Sequence, residues 1–127
     1  MADSVQGDPG KTYRMISCTI RRVSPTAWQI VDDAGHGPTG VTSIAIVNKN
    51  CLKLTYSFTA TKVSSFQVTP DEVFAGASLR VGASVGLTYA YIYCYLSGST
   101  KVNPGNLTAP NGNLWVTAIM EVAPVAP

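Results

Sequence analysis

Two glycine-bounded strings in this sequence carry the letters of sites that do chemistry. Gly35-His36-Gly37-Pro38-Thr39-Gly40 fits G-x-G-x-x-G, a loop that holds a pyrophosphate when its backbone amides open a helix. Here Pro38 interrupts the string and a β-branched run (Val41, Ile44, Ile46, Val47) follows it, so a strand is expected where the helix is needed. Gly82-Ala83-Ser84-Val85-Gly86 fits the G-x-S-x-G nucleophile elbow. That elbow needs a strand-to-helix turn with an acid and a histidine downstream. His36 is the sole histidine, lies upstream of Ser84, and the stretch after Gly86 is strand-like. Both strings read as glycine-rich backbone rather than as sites.

The remaining polar candidates are equally spare. One histidine cannot supply the three or four ligands of a metal site. Asp32 and Asp33 are adjacent, and in a strand they would point to opposite faces, whereas paired catalytic carboxylates must converge. Asp71-Glu72 follow Thr69-Pro70 and read as a helix start, with Thr69 at the N-cap and Pro70 in the first position. Asn106-Leu107-Thr108 is a glycosylation sequon and indicates a surface loop. Cys18, Cys51 and Cys94 are odd in number and far apart, which argues against a disulfide framework or a zinc site. Each sits in an apolar stretch, where a free buried thiol is the usual outcome. The sequence therefore predicts a non-enzymatic chain with no catalytic, cofactor-binding or metal-binding residue, and no cofactor.

The feature that stands above this background is aromatic. In Thr88-Tyr89-Ala90-Tyr91-Ile92-Tyr93-Cys94-Tyr95-Leu96, strand alternation puts Tyr89, Tyr91, Tyr93 and Tyr95 on one face, with Ala90, Ile92, Cys94 and Leu96 on the other. The small and aliphatic face suits a tight core. The tyrosine face admits three readings: packing inside the subunit, a subunit interface, or a platform for a glycan or other ligand.

Strands must position such a ladder, and the alternation supplies about eight. They are Tyr13–Ile20 (ending by Ser24-Pro25), 27–31, 41–47, 51–59, 62–68, 79–85, 88–96 and 113–122. Residues 51–59 alternate most cleanly, with Leu52, Leu54, Tyr56 and Phe58 against Lys53, Thr55, Ser57 and Thr59. The helix start at Thr69 meets Gly76 after about one turn. Short strands with turn signals between them predict a single all-β domain, an antiparallel β-sandwich or jelly-roll-like fold with at most one short helical turn. Residues 1–10 read as an N-terminal arm, 11–122 as the sandwich, and 123–127 as a tail suited to polyproline II.

Composition limits the partners. The chain has 127 residues, enough for one self-sufficient domain. Charged residues make up only 13%, about half the usual share, so part of the outer surface is expected to be covered by neighbours in a homo-oligomer, a trimer in the first instance. A net charge of +2 with scattered basic residues argues against nucleic acid. The doublet Arg21-Arg22 reads as a solvated strand end. No apolar run approaches the roughly 18 residues of a membrane span. Met1–Gly10 lacks the basic and apolar regions of a signal peptide, which predicts synthesis in a reducing cytoplasm.

Between Ser64 and Val122, Ser65-Phe66-Gln67-Val68-Thr69-Pro70-Asp71-Glu72-Val73-Phe74-Ala75, Val81-Gly82-Ala83-Ser84-Val85-Gly86-Leu87 and Gly112-Asn113-Leu114-Trp115-Val116 before Glu121-Val122 resemble segments of small virion proteins of tailed bacteriophages that infect actinobacteria. The resemblance spans nearly half the chain and leaves the first 60 residues uncovered. It implies a structural protein of the virion, a minor tail component or a capsid decoration protein on the head surface, that assembles by symmetry with other virion proteins. A host-surface glycan receptor module is the alternative from a different class.

Overall fold

The computed structural model describes residues 4–5, 11–24, 27–31, 38–47, 51–77, 79–95, 101–102, 104 and 111–124. Ten strands are described: β1 (Ser4–Val5), β2 (Thr12–Ser24), β3 (Ala27–Val31), β4 (Val41–Val47), β5 (Cys51–Tyr56), β6 (Lys62–Pro70), β7 (Arg80–Val85), β8 (Tyr89–Tyr95), β9 (Lys101–Val102) and β10 (Asn113–Val122). One helical turn, α1 (Glu72–Gly76), lies between β6 and β7. The eight strands of five or more residues fall where the alternation predicts them.

They form two antiparallel sheets. In the first the order is β1-β2-β10-β6, with β3 also on β2; in the second it is β4-β5-β8-β7, with β9 also on β8. The fold is thus an all-β sandwich. One edge of β2 is covered in succession by β1 at Tyr13 and Arg14, by Thr39 at Ser17, and by β3 from Thr19 onward. Its other edge pairs with β10 along ten residues, from Asn113↔Arg21 to Val122↔Thr12.

The chain passes from the first sheet to the second at Gly40. Its φ of +80° lies in the left-handed region that favours glycine. A Cβ there would sit 2.6 Å from the Met15 carbonyl oxygen, so β2 can be approached this closely only without a side chain. Gly40 then accepts a hydrogen bond from the Ser57 N–H at 2.9 Å, which ties the pivot to the end of β5.

Between the sheets the inward residues form one core. Ile16, Cys18 and Ile20 of β2 and Leu114, Val116, Ala118 and Met120 of β10 meet Leu52 and Leu54 of β5 and Ala90, Ile92 and Cys94 of β8. Phe74 of α1 is fully buried and stacks on Trp28 at 5.7 Å. The Trp28 indole N–H donates to the Pro104 carbonyl at 2.9 Å. Burying an aromatic ring with its polar handle satisfied is the arrangement a dry core requires.

Two local expectations are corrected. The N-cap of α1 is Asp71, not Thr69: the Asp71 carboxylate accepts from the Phe74 N–H, and β6 stays extended through Pro70, which pairs with Leu114. Proline fits there because β6 is an edge strand and its missing N–H costs no ladder bond. Arg22 is not a solvated strand end. It continues the inward row of Ile16, Cys18 and Ile20 and is 2% exposed, while Arg21 points outward and donates from Nε to the Asn113 side chain at 2.8 Å.

Candidate functional site

The local sequence of β8 explains its two faces. Ala90, Ile92 and Cys94 are fully buried, and the four tyrosines between them are partly exposed. The ladder therefore lies on the face of the second sheet turned away from the core. The rings are not independent. Tyr89 and Tyr91 meet edge to face, with centroids 5.0 Å apart and planes at 64°. A hydrogen bond to Tyr89 raises the pKa of the Tyr91 hydroxyl above its ordinary value.

Neighbouring strands complete the face through register. Antiparallel Cα partners share a face, so Lys53 on β5 stands with Tyr91 and Thr55 with Tyr89. On β7, Ser84 stands with Tyr91, Gly82 with Tyr93 and Arg80 with Tyr95. The Lys53 ammonium lies 4.6 Å from the centroid of the Tyr89 ring, within reach of a cation–π attraction. A Cβ built at Gly82 would lie 3.6 Å from the Tyr95 ring, an ordinary contact, so the strand passes under the ladder without strain. At the end of the ladder β9 pairs Lys101 with Tyr95 along the backbone. Lys53 and Arg80 were not legible as parts of this surface, because they sit on other strands and only the pairing register brings them to the tyrosines.

The other sequence candidates fall apart spatially or lie elsewhere. Ser84 is exposed in the middle of β7, and Gly86 after it forms the tight turn into β8, its N–H donating to the Tyr89 carbonyl at 2.9 Å. The G-x-S-x-G string is thus a strand and its hairpin. Pro38, Thr39 and Gly40 lead into β4, so the G-x-G-x-x-G string opens a strand too. His36, Asp32, Asp33 and the Asn106 sequon lie outside the described residues. Asp71 is buried as the cap of α1.

Cys18, Cys51 and Cys94 are buried thiols, none of them in a disulfide. Burial pushes the Cys18 and Cys94 thiols up to about 12, which leaves them protonated and unreactive at neutral pH. Among the described residues no group of three or more His, Cys, Asp or Glu could hold a metal ion, and no helix is long and apolar enough to cross a membrane.

Two concavities lie away from the ladder. An open groove of about 470 Å³ runs between the edges of β6 and β7, lined by Phe66, Val68, Val81 and Val85 among others. A depression of about 320 Å³ on the outer face of the first sheet is bordered by Met15, Gln67, Thr117 and Ile119. Trp115, on the same outer face, is 47% exposed.

What the fold and this surface define is a class, an all-β sandwich with an aromatic outer sheet face. Comparison with protein-family models, with curated proteins and with solved structures finds no match to the chain.

Proposed function

We propose that the chain is a non-enzymatic structural protein of a bacteriophage virion, made in the host bacterial cytoplasm and assembled as a symmetric homo-oligomer, a tail-associated component in the first instance. The observation that carries the reading is how little charge the sheet edges hold. Strand β4 has no charged residue, and the nine residues of β6 contain only Lys62. Monomeric proteins blunt such edges with charges, prolines or bulges, because exposed strand edges invite pairing with another chain. The protections are few: Lys62, Pro70 and one register shift opposite Ile119/Met120 on β6, and one register shift between Val41 and Ser43 on β4. Exposed Trp115 on the first sheet supports the same reading, since tryptophan is enriched at interfaces. The resemblance of residues 64–122 to phage virion segments supplies the setting.

Sedimentation at micromolar concentration tests the assembly, with an oligomer expected; a stable monomer would overturn it. Quantitative mass spectrometry of purified virions tests the placement. A handful of copies per particle supports the tail, and hundreds support capsid decoration instead.

A second reading, a host-surface glycan receptor module, is favoured by the ladder itself. Its four tyrosines are turned outward beside Lys53, and amphipathic rings with polar tips suit contact with a partly wet ligand.

A further inference from the structure

The charges of the second sheet are all of one sign. Its five strands contain Lys53, Arg80 and Lys101 and not one Asp or Glu. Lys53 is the register partner of Tyr91 and Arg80 that of Tyr95. Tyr91 and Tyr95 are four residues apart, so the backbone positions of Lys53 and Arg80 lie about 13 Å apart along the strand, at roughly 3.3 Å per residue. Ser84 shares the Tyr91 rung, Gly82 stands between the two cations opposite Tyr93, and Thr55 lies beyond Lys53 opposite Tyr89; all three are small or hydroxylated.

We propose that this face is a linear track for an acidic polysaccharide, with Tyr91 and Tyr93 contacting sugar rings while Lys53 and Arg80 pair with carboxylates. The inference deepens the receptor reading above and is independent of the oligomeric one. Charge complementarity selects the occupant. A second copy docking through the same face would set Lys53 and Arg80 against their own kind, and like charges across an interface are unfavourable. A nucleic acid strand presents a phosphate on every nucleotide, and its binding scales with the number of phosphates neutralised; cations spaced this sparsely fit a polysaccharide charged on alternate sugars, as hyaluronate is. Sugars offer apolar ring faces edged by hydroxyls, which match tyrosine rings and tips in the same way.

The test uses the full chain and four defined polymers at low salt: polygalacturonate and hyaluronate, whose carboxylates differ in spacing, with neutral dextran and oligothymidylate as contrasts, read by calorimetry per chain. We expect at least one acidic polysaccharide to bind at least tenfold more tightly than dextran and oligothymidylate. The exposed-face pair Lys53→Gln/Arg80→Gln should weaken that binding at least tenfold, and so should Tyr91→Ala/Tyr93→Ala. Lys62→Gln on the other sheet should leave it unchanged. Circular dichroism checks each variant, and Arg80→Gln alone, at an exposed position, provides the reading if a double variant does not fold.

Absence of acidic-polysaccharide binding, equal binding of oligothymidylate, or indifference to these substitutions overturns the proposal. Sedimentation of the same variants separates it from the assembly reading. Dissociation of an oligomer by Tyr91→Ala/Tyr93→Ala would make the face a subunit interface and overturn the track. A monomeric wild type that binds the polysaccharide would overturn only the assembly.

Discussion

The Asp71 carboxylate holds the Asn113 backbone N–H at 2.9 Å with Oδ2 while Oδ1 accepts from the Phe74 N–H at 3.1 Å. One side chain thus caps α1 and fastens it to the first residue of β10, 42 positions away. The reverse bond, from the Asp71 N–H to the Asn113 carbonyl at 2.9 Å, closes the pair. Gly112 completes the clasp, since a Cβ there would lie 2.8 Å from Asp71 Oδ1 and 3.1 Å from the Phe74 ring.

Replacing Asp71 by alanine leaves two donors without their acceptor in a buried setting. Asp71→Ala is expected to cost about 1–3 kcal/mol, read as a lower urea midpoint with unchanged m-value. An unchanged midpoint would show that the clasp is not a stabilising contact.

The two faces of β8 should respond differently to truncation. Ile92→Ala opens a cavity at a fully buried position and should cost about 2–5 kcal/mol. Tyr91→Ala on the outer face should cost about 1 kcal/mol and keep β-rich circular dichroism. Equal losses from the two substitutions would contradict the outward placement of the ladder.

Alkaline pH should destabilise the domain. Cys18 and Cys94 rise from 9.0 to about 12 and Tyr56 from 10.0 to about 12 on folding, in each case chiefly through burial. A raised folded pKa means that the unfolded chain releases its proton first. The contribution is complete below about pH 9 and is lost as pH climbs toward 12. Melting temperature should therefore fall steadily across that window, and reducing agent should leave it unchanged at neutral pH because no cysteine is in a disulfide. Thiol titration should find Cys18 and Cys94 unreactive in the native state and reactive in denaturant.

Gly40→Ala places a Cβ against the Met15 carbonyl at a positive φ. Both the contact and the conformation oppose the substitution, and a loss of about 1–3 kcal/mol is expected. Retention of wild-type stability would mean that the crossing from β2 to β4 can be rebuilt without glycine.

Much of the architecture is written in alternation. Residues 51–56 and 89–95 announce both their strand character and their two faces, because period-2 patterning is the physical requirement of a sheet with unlike sides. Alternation did not by itself decide which side of β8 faces in, as both sides are apolar in character. Packing decides it, since Ala90, Ile92 and Cys94, beside Leu52 and Leu54, join the core with the inward residues of β2 and β10. Ser4–Val5 and Lys101–Val102 pair as strands, yet two residues are too few to show a period. Arg22 illustrates the opposite limit, for the inward row of β2 ends in a charged residue whose burial depends on what packs over it in three dimensions. The cationic partners of the ladder were beyond reach for the same reason: Lys53 and Arg80 are distant from one another in the chain, and register is a property of the folded sheet.

The placement of β10 between β2 and β6 has a kinetic consequence. Arg21 and Asn113 are 92 positions apart, so the central ladder of the first sheet closes one of the longest loops the domain contains. Non-local pairing of this kind carries a large chain-entropy cost ahead of its reward, and folding slows as contact order rises. Until β10 arrives, β6 has no strand beside it in its sheet and β2 lacks one whole edge. On the ribosome the apolar rows of both strands stay uncovered while the intervening segment is made, which is the interval in which such a chain depends on chaperones or on dilution to avoid aggregating.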